Sequence, residues 1–457
     1  MVTIEKKLKT EYFQRFDGNA SKKVGFEVEF PLVYGPAHSR AGEMISLRDM
    51  GRILKALAQT DRSYDVVNGY ELEKSINGHK VVIGTDVGTG QLEIGFPATR
   101  TLAESEVYLK QFIGAVAEVA ESFNIYILGS GMQPYTPPRK ENMAPKERYI
   151  AMLDFLGPSV YEHTLSAASQ IHVDVTREDF IETLNTLNVL SVPIIGISAN
   201  SPIALGQDTG YLDYRSTIWD RNNYQYHPQN NIGRTGVAVF RDLDHFWDYF
   251  TNFPPFITKR GLDYMMHAPP PHSFKSFMID GETDVEILGG RNGKSRLIIS
   301  PTLGDVQVLE GTVWWEARPK SEFGTVESRC PALQPSISEI MAVGALIKGL
   351  SVNINGARGL VGELSENQGA LADARRDVIR RGLDARVEGT SSCMSEITGE
   401  MLEIAKKGLR NSGENTGYLV PLYERLEKGV TPAEKALELF RNNTRKKFLK
   451  GLRLELE

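Results

Sequence analysis

The sharpest alternation of apolar and polar positions in this chain is Gly25-Phe26-Glu27-Val28-Glu29-Phe30. Read as a strand, it turns Phe26, Val28 and Phe30 to one face and Glu27 and Glu29 to the other, about 7 Å apart along the strand. Like charges so stacked repel, and a carboxylate taken out of water either finds a cation or shifts its pKa until it is neutral. A solvated acidic edge strand and a face filled by Mg²⁺ or Mn²⁺ both fit this stretch alone. Three more stretches repeat the pattern. Gln91 and Glu93 oppose Leu92 and Ile94; Gln170, His172 and Asp174 oppose Ile171, Val173 and Val175; Thr325, Glu327 and Arg329 share one side of a further strand. Carboxylates, one imidazole and an arginine converging from separate strands form the set of groups used in metal-assisted phosphate chemistry.

Helical spacing frames these strands. Leu47, Met50, Ile53, Leu54 and Leu57 predict a helix over residues 47–58 capped by Ser46, and Thr101 opens a long amphipathic helix to residue 123. Residues 70–74 and 80–83 read as a hairpin that delivers the chain to Asp86 and the Glu93 strand, and residues 125–128 as a short buried strand. Residues 134–145 form a proline-punctuated loop suited to covering a site mouth, followed by a helix over 146–156. Thr176 is expected to cap a helical region that Pro193 interrupts. Residues 206–236 are polar, aromatic and arginine-bearing, a functional loop by its length. A short helix over 242–250, an irregular stretch over 254–272, and strands at 284–288, 296–299, 306–309 and 313–317 follow. From residue 336 the pattern is helical, over 337–350, 371–381, 395–409 and 432–442. The expected architecture is α+β, a largely antiparallel sheet curved around the site, with a catalytic region over 1–335 and a helical region over 336–457 packed on it.

Composition narrows the partners. With 457 residues, 41% of them hydrophobic, the chain can bury a large core. Its net charge of −6, without a basic run, excludes a nucleic-acid or lipid-headgroup binder and leaves a small soluble substrate. No apolar run nears the roughly 20 residues of a membrane span and the first residues carry no leader pattern, so a cytoplasmic protein is expected. A homo-oligomer is compatible with the sequence. Two cysteines, Cys330 and Cys393, exclude a disulfide framework and a cysteine-rich zinc site, and Cys330 reads as a packed thiol.

Two glycine motifs are set aside. The run from Gly289 to Ser295 has Leu288 where a phosphate loop needs glycine, and Gly129-Ser130-Gly131 lacks the third glycine of a dinucleotide fingerprint. His172 stands out from the other histidines because Gln170 and Asp174 share its face. For Arg318, before Pro319, a solvated role and a phosphate-binding role both stand, whereas Arg329, beside Glu327, needs an anionic partner that a metal-held phosphate supplies.

At these residues a family resemblance appears. GFEVEF, TGQLEIGFP, SQIHVDV, ANSPIALGQDTGYLDYRSTIW and VWWEARPKSEFGTVESR, in this order, resemble the carboxylate-amine ligases of glutamate-cysteine ligase family 2 over residues 24–329, with the helical tail in keeping. The resemblance implies a glutamine synthetase-like funnel with ATP at one end and the acid substrate at the other. ATP would phosphorylate a carboxylate, and an amine would displace phosphate to give an amide. By motif position, Glu27, His172 and Glu327 look like ligands of one metal and Glu29 and Glu93 like ligands of another, two or three Mg²⁺ or Mn²⁺ ions in all. Arg329 resembles the clamp on the transferred phosphoryl group and Arg318 a second phosphate-binding arginine. Gln170, Tyr214, Arg215 and Arg221 are similar to the part that meets the substrate. The leading expectation is γ-glutamyl transfer to cysteine or another amino acid or amine. Its rivals are the same chemistry on a different acid or a peptide, a guanidino-kinase-like phosphotransferase, and a nucleotide-binding module without turnover.

Overall fold

Glu27 and Glu29 lie mid-strand in β1 (Val24–Tyr34), the centre of the main sheet. The computed structural model describes residues 3–18, 21–76, 78–220, 238–261, 263–287, 296–387 and 393–457. After β1 come β2 (Asp65–Asn68), β3 (Glu71–Ile76), β4 (His79–Thr85), β5 (Gln91–Gly95), β6 (Ile125–Ile127) and β7 (Ser169–Asp174). A two-residue hairpin, β8 (Ile203–Ala204) and β9 (Gln207–Asp208), precedes a small antiparallel sheet of β10 (Ile257–Arg260), β11 (Asp263–His267), β12 (Thr283–Ile287) and β13 (Arg296–Ile299). The last strands, β14 (Ala317–Lys320) and β15 (Thr325–Ser328), return to the main sheet. Its order is β14-β15-β7-β1-β5-β4-β3-β2, with β6 also paired to β1, and its pairings are antiparallel. Segments more than a hundred residues apart in sequence thus meet at β1.

One face of this sheet is oily and covered. Phe26, Val28 and Phe30 are buried against the helices Leu102–Ser122 and Ile337–Val352, and the C-terminal helices extend the same core. Contact there is close: a Cβ on Gly344 would stand 2.2 Å from the Phe26 ring. Gly344→Ala is therefore expected to destabilise the protein by about 1–3 kcal/mol, read as a lower denaturant midpoint. An unchanged midpoint would show that the helix can shift away from β1. Among the described residues no single helix is long and apolar enough to cross a membrane.

Most helices form where their caps and spacing predict. Ser46 caps Leu47–Thr60, and Thr101 with Glu104 closes a capping box on Leu102–Ser122. Four expectations need correction. Residues 306–309 are not a strand but part of the helix Leu303–Glu310; the Asp305 carboxylate accepts from the Thr302 N–H at 2.8 Å and fixes a helix start that overrides the strand preference of Val306 and Val308. The strand expected at 313–317 instead begins at Ala317 and runs through Pro319, tolerated because β14 is the sheet edge. Residues 254–272 contain the hairpin of β10 and β11 rather than irregular chain. Finally, the helix after β7 starts at Phe180 because Asp179 accepts from the Thr176 N–H, and its break falls at Leu190; Pro193 sits in the first turn of the next helix, Ser191–Ser198, where a missing N–H costs nothing.

Candidate functional site

The other face of the sheet is polar and lines a cavity of about 580 Å³. Register explains how its groups meet. Arg318 pairs with Glu327, Glu327 with His172, and His172 with Gly25, so three functional side chains share one row across four strands. Glu27 lies two residues along β1 on the same face. Glu27, His172 and Glu327 each offer a ligand atom within 4.8 Å of the others, and so do Glu29, Asp86 and Glu93. Glu29 faces Glu93 directly across the β1–β5 pairing.

The two groups differ in charge balance. In the first, Glu327 is fully buried between two arginines, accepting from Arg318 Nε at 2.7 Å and from Arg329 Nη1. Burial pushes its carboxyl up, but Arg318, Arg329 and His172 together outweigh this and hold it well below the usual range. For Glu27 burial also acts upward, and the His172 hydrogen bond leads the influences that bring it to about 2. The His172 Nδ1 lies 3.1 Å from Thr325 Oγ1 and its Nε2 lies 3.6 Å from Glu27, so the hydroxyl orients the ring and leaves Nε2 to the cluster.

In the second group, among the described residues, none of the three carboxylates has a lysine or arginine within ion-pair distance. Glu29 is 5% exposed and, among the described residues, accepts from the amides of Gln170, at 2.5 Å, and Gln91, at 3.3 Å. Burial and then Asp86 raise its carboxyl, Arg215 and Arg329 offset this in part, and it is pushed up to about 8. Burial, then Glu27, Asp86 and Glu29, push Glu93 well above its ordinary value. Three oxygen donors packed together without a directly paired cation suit a hard divalent ion.

The remaining side chains orient around these groups. Arg329 Nη1 also donates to Gln170 Oε1, whose amide donates to Glu29, so Gln170 bridges the two clusters. Arg318 is pinned by the Glu310 and Val313 carbonyls at 3.2 and 3.3 Å. Arg215 is 4% exposed, lines the cavity, and donates to the Arg329 and Cys330 carbonyls, while its Nε has no hydrogen-bond partner among the described residues. Two expected residues stand elsewhere. Tyr214 lines a separate cavity of about 510 Å³ with Tyr211 and Asp220. Asp174 turns to Ser21 and the Lys23 N–H at the strand end. Arg221, and the glycine run from Gly289 to Ser295, lie outside the described residues. Cys330 is fully buried, and burial raises its thiol, as a packed side chain requires.

Comparison with known proteins now adds to this geometry. The profile of Glutamate-cysteine ligase family 2 (GCS2) matches residues 23–449. The chain belongs to this family. It is 26% identical over 438 residues to a chloroplastic glutamate–cysteine ligase of Solanum lycopersicum, covering 89% of this chain and 76% of that one. To a putative glutamate–cysteine ligase 2 of Herpetosiphon aurantiacus it is 23% identical over 264 residues, 58% of this chain and 54% of the relative. A Francisella tularensis glutamate–cysteine ligase, solved in complex with AMP, superposes with a TM-score of 0.54 at 13% identity over 96% of this chain and 89% of that one. A bifunctional glutathione synthetase from Pasteurella multocida does so at 0.52 and 11% identity, over 98% of this chain and 52% of the other. At these identities the likeness is one of fold. In this member of family 2, Asp86 is the candidate that strand alternation misses. It sits on a loop, Asp86-Val87-Gly88-Thr89-Gly90, and its signal is an acid in a glycine turn just before the Glu93 strand.

Proposed function

We propose that this protein is an ATP-dependent carboxylate-amine ligase that forms an amide through an acyl phosphate, with γ-glutamyl transfer to cysteine or another amino acid or amine as the leading reading. The observation that carries it is the second carboxylate group: Glu29, Asp86 and Glu93 within 4.8 Å, without an ion pair among the described residues, in the same cavity as Arg318 and Arg329. Held by Glu27, His172 and Glu327 on one side and by Glu29, Asp86 and Glu93 on the other, Mg²⁺ or Mn²⁺ would supply charge neutralisation for the triphosphate and the transferred phosphoryl group. The protein's own part is orientation. Gln170 and Glu327 hold the Arg329 fork toward the cavity, and Arg318, fixed by two backbone carbonyls, cannot swing away from it. Arg215, which lines the same cavity, brings a cation suited to a substrate carboxylate. Overall, the acid's oxygen takes the γ-phosphoryl group as ADP leaves, and the amine nitrogen then takes the acyl carbon as phosphate leaves.

The test is an ADP-release screen of the purified protein with Mg²⁺, ATP and paired libraries of carboxylic acids and amines, products identified by mass. The expected result is ADP formation that requires one acid and one amine and yields their sum less water. A phosphorylated nitrogen compound without an amide would replace this reading with a kinase.

A further inference from the structure

The strands supply five of the six candidate ligands, and a strand fixes its side chains through its ladder. Asp86 alone comes from a loop, so something else must aim it. The helix Glu147–Leu156 and the segment entering it grip that loop and the strand end before it at four points. Ala144 N–H donates to the Val87 carbonyl at 2.7 Å, Thr89 N–H to the Asn142 carbonyl at 2.7 Å, and Lys146 Nζ to the Thr85 carbonyl at 2.6 Å. The fourth point is the side chain itself: the Tyr149 hydroxyl donates to Asp86 Oδ1. Tyr149 is 6% exposed and packed in an apolar cluster with Met152, Phe155, Phe256 and Trp314, so its ring is not free to follow the carboxylate.

A carboxylate with one oxygen tied to a fixed donor has its rotamer set and presents the other in one direction. We propose that Tyr149 is a positioning residue that aims Asp86 at the point shared by Glu29 and Glu93, so that the helix after the proline-rich loop sets the affinity of the second cation site and not of the first. This rests on the reading of Glu29, Asp86 and Glu93 as a cation site.

Mn²⁺ titration of the nucleotide-free protein, with free Mn²⁺ followed by electron paramagnetic resonance, tests it without turnover. The wild-type protein is expected to show two classes of site. Tyr149→Phe keeps the ring in its cluster and is expected to weaken one class by about 10–100-fold while leaving the other unchanged. Asp86→Asn should weaken the same class, and Tyr149→Phe added to it should bring little further loss. Loss with Asp86→Asn but not with Tyr149→Phe overturns the positioning role alone. Weakening of both classes by Tyr149→Phe, with a lower thermal midpoint in metal-free protein, overturns it in favour of a structural role. If neither substitution changes Mn²⁺ binding, or the wild-type protein shows no second class, the cation reading falls and the proposal with it.

Discussion

Glu27→Gln is expected to cut ADP formation by at least about a thousandfold, roughly 4 kcal/mol of transition-state stabilisation, in a protein that stays folded. The amide keeps the shape of the side chain but loses the negative charge beside His172 and Glu327 and replaces one carboxylate oxygen with a donor. The cost to the fold should be smaller than at a fully buried carboxylate: the Glu27 side chain is 27% exposed to the cavity, and among the described residues its ion-pair neighbour is His172 at 3.6 Å. Glu327→Gln separates the two consequences. It should lose activity to a similar degree and also destabilise the protein by about 3–5 kcal/mol, because Arg318 and Arg329 would be left without their buried carboxylate. ADP release and urea midpoints measured on both variants decide the matter. Turnover of Glu27→Gln within tenfold of wild type would remove Glu27 from the cation site.

How much of this was legible in the sequence follows from where each residue sits. Glu27, Glu29, Glu93 and His172 lie in strands whose opposite faces are mainly apolar, and Glu327 alternates with Val326, so period-two alternation sorts them to one side. Alternation does not say which strands are neighbours. That the β7 row of His172 lands between Glu327 and Gly25 is a matter of long-range register, visible only once β15 and β1 are seen to flank β7. Asp86 has no alternating partner and so carries no strand signal, although Gly88 and Gly90 beside it mark a turn packed too tightly for side chains: a Cβ at Gly88 would meet the Thr164 carbonyl at 2.3 Å. Tyr214 and Arg215 are neighbours in sequence yet line different cavities, a divergence that a helix start at Arg215 imposes and that a loop reading could not resolve. The misassigned strand at 306–309 shows local competition: two β-branched residues favour extension, and one carboxylate cap at Asp305 wins.

In metal-free buffer the protein is expected to lose stability as pH rises from about 6.5 to about 8, and to recover it when Mn²⁺ is added. The sign follows from Glu29. Its carboxyl titrates near 4.5 when unfolded and is pushed up to about 8 in the fold, by burial first and Asp86 next. Between those values the folded state binds a proton that the unfolded state does not, so stability falls with pH, on the order of 4 kcal/mol by pH 8 for this group alone. Glu93 acts in the same direction. Glu27 and Glu327 are depressed, so their contribution is lost only as pH falls below about 4.5 and does not enter this window. His267 opposes the trend at lower pH: burial holds its ring near 4 against an ordinary 6.5, and stability from that group rises up to about pH 6.5. Glu310, raised to about 7 by burial, adds to the fall only in the lower part of the window. A divalent cation bound by Glu29, Asp86 and Glu93 favours their ionised forms and should flatten the profile. Glu29→Gln should make it shallower without metal, because a neutral amide takes no part in the titration while Glu93 and Glu310 still do. Thermal midpoints between pH 6.5 and 8, with chelator and with Mn²⁺, provide the measurement. A chelator profile that is level or rising, and that Glu29→Gln leaves unaltered, would mean these carboxyls are already balanced by the protein and have no need of a cation.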